Sequence, residues 1–408
     1  MRGAVVAVGT ELLLGDVVNS DAAWLGRKLA AAGVEVVTSV AVADDLDRIV
    51  AAVQLCRLEA EVVVVCGGLG PTRDDLSRDA VAVACEAPLA RDPELEQELR
   101  EKLSPYLAEI PPDVFRQADV PRGAWVLPNP AGTAPGLWLE HEGTVVVALP
   151  GPPHELQATA EPVWGWLAER AGGALVTRQV HVAGLGESTI AQRVDAALQV
   201  PEGVAISYLA GGAVVRVRFT SREAALLDPL VDQVDALLGD HVVGHDDDTL
   251  EGVVHRLLGA AGQTVAVAES LTGGLLAAEL TRRPGSSLTF RGSVVVYATD
   301  LKQSLAGVPG PLLEAEGAVS RRTAAALAAG ARDRLGADWG LAVTGVAGPD
   351  EQEGHPVGTV FVAVAGPDGG EVRELRVPGD RDRVRGLTVT HALDLLRRHL
   401  SGKSGAGR

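Results

Sequence analysis

Aromatic residues make up only 3% of this 408-residue chain, so its cores must be built from Val, Leu and Ala. Cysteine is scarcer still. Cys56, Cys66 and Cys85 are too few and too scattered for a disulfide framework or a zinc site, and each is expected to be a small buried hydrophobe. No run of eighteen apolar residues occurs, and residues 4–8 form a short strand-like run followed closely by Glu11 rather than a signal peptide. A cytoplasmic protein without a membrane partner is therefore expected. Positive charge is in deficit: 36 Lys and Arg against 54 Asp and Glu leave a formal charge of -18. That balance argues against nucleic acid and anionic membranes as partners. It leaves phosphate ligands open, because they need only a local field. No short repeat runs through the chain, and the length with 47% hydrophobic residues suits two or three domains.

The most informative stretch is Ala268-Glu269-Ser270-Leu271-Thr272-Gly273-Gly274, between the apolar run 264–267 and a helix-compatible segment. A serine at a strand-to-helix junction exposes its hydroxyl in front of backbone N–H groups that no helical carbonyl satisfies. Thr272, Gly273 and Gly274 would let a ligand approach that backbone. The same pattern also serves as an ordinary helix N-cap. A second apolar run, 293–296, ends in Tyr297, and Lys302 follows at the start of another helix-like stretch. A desolvated lysine can deprotonate a serine hydroxyl, which makes Ser270 and Lys302 a candidate nucleophile and base. A third run, 341–343, leads into the turn Thr344-Gly345-Val346-Ala347-Gly348-Pro349. Ligands of open α/β sheets collect at the carboxyl ends of strands, where all three loops fall.

These segments, with Pro284 to Ser287, Gly317 to Ser320, Pro356 to Val360, Gly379-Asp380-Arg381 and Val384-Arg385, resemble the C-terminal domain of the CinA family. The resemblance implies nicotinamide mononucleotide deamidation without a cofactor, with Ser270 as nucleophile and Lys302 as base. It further implies that Tyr297, Ser287, Thr344, Gly345, Arg381 and Arg385 orient proton transfers or hold the substrate and its phosphate, leaving open which arginine meets the phosphate. Leu271 stands where the family commonly has cysteine, and His355 where it commonly has lysine.

Four consecutive valines, Val62 to Val65, end in Cys66 and read as a buried parallel strand. They lead into Gly67-Gly68-Leu69-Gly70-Pro71-Thr72-Arg73-Asp74-Asp75, a loop whose amides suit a phosphate and whose carboxylates suit a hard cation. With Gly9 to Gly15, Val42 to Asp45, Asn129 to Gly136 and Leu149 to Glu155, it resembles the molybdopterin-binding-like domain at the start of CinA proteins. That resemblance implies metal-dependent cleavage of ADP-ribose. Gly67, Gly68, Gly70 and Thr72 would hold phosphate, and Asp45, Asp74 and Asp75 would hold a divalent ion such as Mg or Co. Helix capping is the alternative role for these aspartates. Asn19-Ser20-Asp21 and Val114-Phe115-Arg116 depart from the family pattern.

Between the halves, 175–245 reads strand, helix, strand, strand, helix, strand, a small α+β unit that the resemblance makes KH-like. It has neither a basic stripe nor a GXXG clamp, so a spacer or dimerisation role is expected, with the chain a homodimer. The cluster from His241 to Asp248 reads as a solvated linker. The expected fold class is α/β, in three domains: 1–172 (molybdopterin-binding-like, three-layer), 173–247 (small α+β) and 248–400 (α/β deamidase), then a disordered tail, 401–408. A reading of another class remains: a nucleotide- or pterin-binding regulator or scaffold linked to competence or DNA damage.

Overall fold

The computed structural model describes residues 1–107, 109–172 and 174–402. Positions 403–408, and with them most of the expected tail, lie outside the described residues. The chain divides into two compact units between Val176 and Thr177. The segments expected as second and third domains pack together in the second unit.

The first unit contains β1 (Arg2–Val8), β2 (Glu35–Val42), β3 (Val62–Cys66), the short strands β4 (Leu89–Arg91) and β5 (Asp119–Pro121), β6 (Trp125–Leu127), β7 (Gly136–His141) and β8 (Thr144–Leu149). β4 pairs only with β5, while the rest form one sheet in the order β2-β1-β3-β8-β7-β6. Its strands are parallel from β2 to β8 and antiparallel beyond. A parallel strand covered on both faces needs apolar side chains in both directions. Accordingly, Val63 and Val65 pack with Ile49, Val53 and Val81 on one side, and Val62 and Val64 with Leu25, Leu29, Leu156 and Val163 on the other. Cys56, Cys66 and Cys85 are free and buried in these layers, as read from the sequence.

The second unit begins with β9 (Val176–Ala183), helix Glu187–Ala197, β10 (Ala205–Gly211), β11 (Val214–Ser221), helix Asp228–Leu238 and β12 (Val242–His245), the order expected from the sequence. The sheet runs β10-β11-β9-β12, with Val180, Val182, Val215, Val217 and Phe219 buried along with Ile190, Val194, Val231 and Val234 of the helices. The expected linker from His241 to Asp248 is instead largely structural. Val242–His245 is the edge strand, His245 Nε2 lies 2.9 Å from the Asp235 carboxylate, and Asp246 and Asp248 pair with Arg178 and Arg256. Paired in this way, the acids are not free to act as a solvated hinge.

Next come β13 (Val265–Glu269), β14 (Phe290–Val295), β15 (Trp339–Gly345), β16 (Thr359–Gly366) and β17 (Gly369–Arg376), ordered β14-β13-β15-β16-β17. β14, β13 and β15 are parallel, whereas β16 and β17 are antiparallel. Along β13, Val265 and Val267 face helices Leu250–Ala261 and Arg381–Leu400, while Ala266 and Ala268 face the alanine-rich helix Arg321–Leu335. Small residues bring that last helix close. A Cβ on Gly340 would lie 1.9 Å from the Ala328 carbonyl oxygen, so neither backbone could stay where it is. Because three strands run parallel, the loops after their carboxyl ends emerge side by side and converge. Among the described residues, no helix is long and apolar enough to cross a membrane.

Candidate active site

Ser270 follows β13 directly, its N–H donating to the Val343 carbonyl of β15 at 3.1 Å. Lys302 sits on the short helix Thr299–Ser304 beyond β14, 1% exposed. Its Nζ lies 3.3 Å from Ser270 Oγ, 2.9 Å from the Val296 carbonyl and 3.3 Å from the Tyr297 carbonyl. Every one of these partners is uncharged. Burial therefore pushes the Lys302 ammonium below its ordinary value, with the Glu353 carboxylate working in the opposite direction. As a neutral amine, Lys302 gives its two hydrogens to the carbonyls and its lone pair faces the serine hydroxyl. That is the orientation a general base needs.

The pair opens into a cleft of about 410 Å³ whose lining includes Tyr297, Thr344, Gly345 and Arg381. Arg381 joins the loops after β14 and β15, donating to Tyr297 Oη at 3.0 Å and to the Gly348 carbonyl at 2.6 Å. Thr344 donates its hydroxyl to the Ala318 carbonyl at 2.7 Å, which fixes the wall rather than leaving a free hydroxyl for a ligand. Glu353 pins the far rim by accepting from the N–H groups of Ala318 and Val319 at 3.0 and 2.9 Å.

The anion cradle expected behind Ser270 is already filled from within. Glu269, fully buried, accepts from the Thr272 hydroxyl and the N–H groups of Gly274, Leu276 and Ala277 at 2.8–3.0 Å, and from Ser293 Oγ at 3.2 Å. The Gly273 N–H is spent on the Ser270 carbonyl at 3.1 Å. Thr272, Gly273 and Gly274 thus shape the turn, the glycines at φ 60° and 99°, and are not among the residues lining the cleft. The N–H groups of Leu271 and Thr272 have no hydrogen-bond partner among the described residues. Arg385 does not reach the cleft either. Its guanidinium donates to the Leu271 and Thr272 carbonyls at 3.2 and 3.0 Å, holding those peptides from behind. Ser287, exposed in the turn Ser286–Leu288, is not among the residues lining the cleft.

In the first unit, a cleft of about 280 Å³ is lined by Gly67 and Gly68 and by the carboxylates Glu11, Asp21, Asp44, Asp74 and Asp75. Gly70 and Thr72 are not in its lining. Thr72 instead donates its N–H to Asp75 at 2.8 Å, and a Cβ on Gly70 would meet the same carboxylate at 2.5 Å. Asp45 takes the capping role, accepting from the Arg48 N–H at 3.0 Å, and its neighbour Asp44 faces the cleft while holding Thr10 at 2.8 Å. The trio Asp45, Asp74 and Asp75 is thus not brought together. Among the described residues no three His, Cys, Asp or Glu side chains converge as a metal site, so the expected ligand set does not fit a bound ion. Burial raises the Asp21 carboxyl above its ordinary range.

Models of three protein families match in order: a probable molybdopterin binding domain over 4–167, the damage-inducible protein CinA KH domain over 177–244 and the CinA C-terminal domain over 247–400. A CinA-like protein of Frankia casuarinae is 48% identical over 98% of this chain and 97% of its own. The chain belongs to the CinA family. A CinA-like protein of Parasynechococcus marenigrum is 43% identical over 98% of each chain. The crystal structure of a competence/damage inducible protein from Agrobacterium tumefaciens covers 37% of this chain and 95% of its own at 37% identity, with a TM-score of 0.35.

Two departures from the common CinA pattern have local explanations. Leu271 is buried among apolar residues of the second unit, and His355 exchanges backbone hydrogen bonds with Gln352 and sets its ring beside Phe361. Neither side chain hydrogen-bonds Ser270 or Lys302. Glu269 and Glu353 escaped the sequence reading. For Glu269 a signal was present: a carboxylate closing an otherwise apolar strand must find donors inside the fold.

Proposed function

We propose that this CinA-family protein is an amidohydrolase that converts nicotinamide mononucleotide to nicotinate mononucleotide and ammonia. The observation that carries this reading is a buried lysine with only uncharged partners, 3.3 Å from a serine hydroxyl at the mouth of a cleft. Ser270 Oγ passes its proton to Lys302 and attacks the carboxamide carbon. The C–N bond breaks, Lys302 returns the proton to the leaving nitrogen, and ammonia departs from an acyl-serine. Water then attacks the ester with Lys302 again as base, and Ser270 recovers its proton as the carboxylate leaves. Leu271, which lines the cleft, offers an uncommitted N–H group for the oxyanion, with Arg385 holding its carbonyl. Because Arg381 lines the cleft and Arg385 does not, Arg381 is the arginine this reading assigns to the substrate phosphate.

The test is ammonia release from nicotinamide mononucleotide in EDTA, with Ser270→Ala and Lys302→Ala alongside. Turnover by the wild type and a loss of at least about 10³-fold in both folded variants is expected. An inert wild type sinks the reading.

The glycine turn Gly67–Gly68 in the cleft of the first unit favours a second reading, a binding site for a nucleotide diphosphate such as ADP-ribose, whose charge the surrounding carboxylates oppose unless a cation from solution accompanies it. Titrating ADP-ribose with and without Mg separates binding from cleavage.

A further inference from the structure

The sheet of β10, β11, β9 and β12 has an outer face that the amidohydrolase reading leaves unused. Side chains alternate along a strand. With Val215, Val217 and Phe219 buried, Arg216 and Arg218 stand on the opposite face, half-buried. β10 places Leu209 across from Arg216 and Ser207 across from Arg218. On the other side β9 adjoins β11, with the Thr177 and Thr220 hydroxyls 3.3 Å apart, so Gln179 and His181 share the face with the two arginines. β12 sets Gly244 opposite His181, and the Asp248 side chain stands over that glycine.

These groups are short of partners. The nearby acids are committed elsewhere: Asp228 and Asp246 to Arg178, Asp235 to His245, and Asp248 to Arg256. Arg218 Nε, His181 Nε2 and Gln179 Oε1 are buried with no hydrogen-bond partner among the described residues. Burial and then the Arg216 charge push both Arg218 and His181 below their ordinary values, with Asp248 and the Asp246 backbone working the other way on His181. Two guanidiniums have therefore been brought together and partly desolvated on one strand, with Arg218 Nε unpartnered, in a chain whose formal charge is -18. Buried unsatisfied polar groups of this kind call for a missing partner.

We propose that this face binds a phosphate monoester, with Arg216 and Arg218 bracketing the dianion and His181, protonated at Nε2, donating a further hydrogen bond to it. Two residues apart on one strand, the guanidiniums stand roughly 7 Å from each other at their Cα atoms. That spacing lets two planar forks approach one tetrahedral group from either side. A carboxylate would occupy one fork and leave the other bare. A nucleic-acid strand needs a stripe of cations to track successive phosphates, and this face supplies a single cluster.

The test uses the full-length protein and isothermal titration with inorganic phosphate and with glycerol 3-phosphate at constant ionic strength. Both compounds are expected to bind the wild type and Arg381→Gln, which removes the arginine of the catalytic cleft. The double variant R216Q/R218Q should bind at least ten-fold more weakly while retaining its circular dichroism and its deamidation rate. Arg216→Gln alone serves if the double variant does not fold. Undiminished binding by folded R216Q/R218Q overturns the proposal, as does binding lost in Arg381→Gln alone. It is equally overturned if neither compound binds while a single-stranded oligonucleotide does, or if the substitutions change only the sedimentation of the protein.

Discussion

On the reading proposed above, Lys302 couples catalysis to stability through one proton. Burial lowers its ammonium below the ordinary value of 10.5, so the folded protein gives up that proton at a lower pH than the unfolded chain does. Between the two values the unfolded chain holds more protons, and stability rises with pH. Below the folded value both states are charged, and the folded state bears the full cost of burying the cation. Lys302→Met removes that cost. The variant should be more stable than the wild type in acid, with the advantage shrinking towards pH 10.5, as read from urea unfolding across the pH range. The catalytic readout moves with the same group. kcat/KM for nicotinamide mononucleotide should climb as Lys302 loses its proton, with a midpoint below that of an ordinary lysine. A midpoint at or above 10.5 would mean that another group sets the rate.

The joint between β13 and helix Leu275–Thr281 is where the sequence reading and the fold part company, and Glu269 is the reason. Strands were legible because parallel strands need unbroken apolar runs. Val62–Cys66 matches its expected span, and β13 and β15 appear within two residues of theirs. The pairing of Ser270 with Lys302 was legible because both sit just past such runs. Within a motif, however, the sequence does not say which way each side chain turns. Arg381 and Arg385 lie one helical turn apart, yet one reaches the cleft and the other the Leu271 and Thr272 carbonyls. Likewise Gly273 and Gly274 suggest an anion cradle until a carboxylate of the chain itself is found in it. Glu269→Gln tests this joint. The amide has one acceptor oxygen where the carboxylate has two, and its NH₂ would face backbone donors. A loss of about 2–4 kcal/mol in urea unfolding is expected, with kcat falling more than KM rises because the nucleophile's turn loosens. If kcat is unchanged, the turn does not depend on this carboxylate.

At the scale of the molecule, domain order and compact units differ. Three sequence segments match three family models, but the chain parts only once, between Val176 and Thr177. The boundary near residue 247 was legible as a change of motif and pattern, whereas packing across it depends on side chains far apart in sequence. Ala183 and Val243 belong to the same apolar cluster as Val254 and Leu395. Across the same seam, Arg397, 4% exposed, donates to the Asp240 carbonyl at 2.7 Å, while on its own helix it pairs with the buried Asp394 carboxylate at 2.7 Å. Cutting at 247 would uncover that cluster and deprive a buried guanidinium of an acceptor, a change of the kind that costs about 1–3 kcal/mol before the apolar exposure is counted. A fragment 177–408 keeps this packing together with Ser270, Lys302 and Arg381. It should fold alone and release ammonia from nicotinamide mononucleotide with the kcat/KM of the full chain. A fragment 248–408 should melt at a clearly lower temperature. Equal melting temperatures for the two fragments would show that the seam contributes nothing to stability, and an inactive but folded 177–408 would show that this unit does not carry the activity by itself.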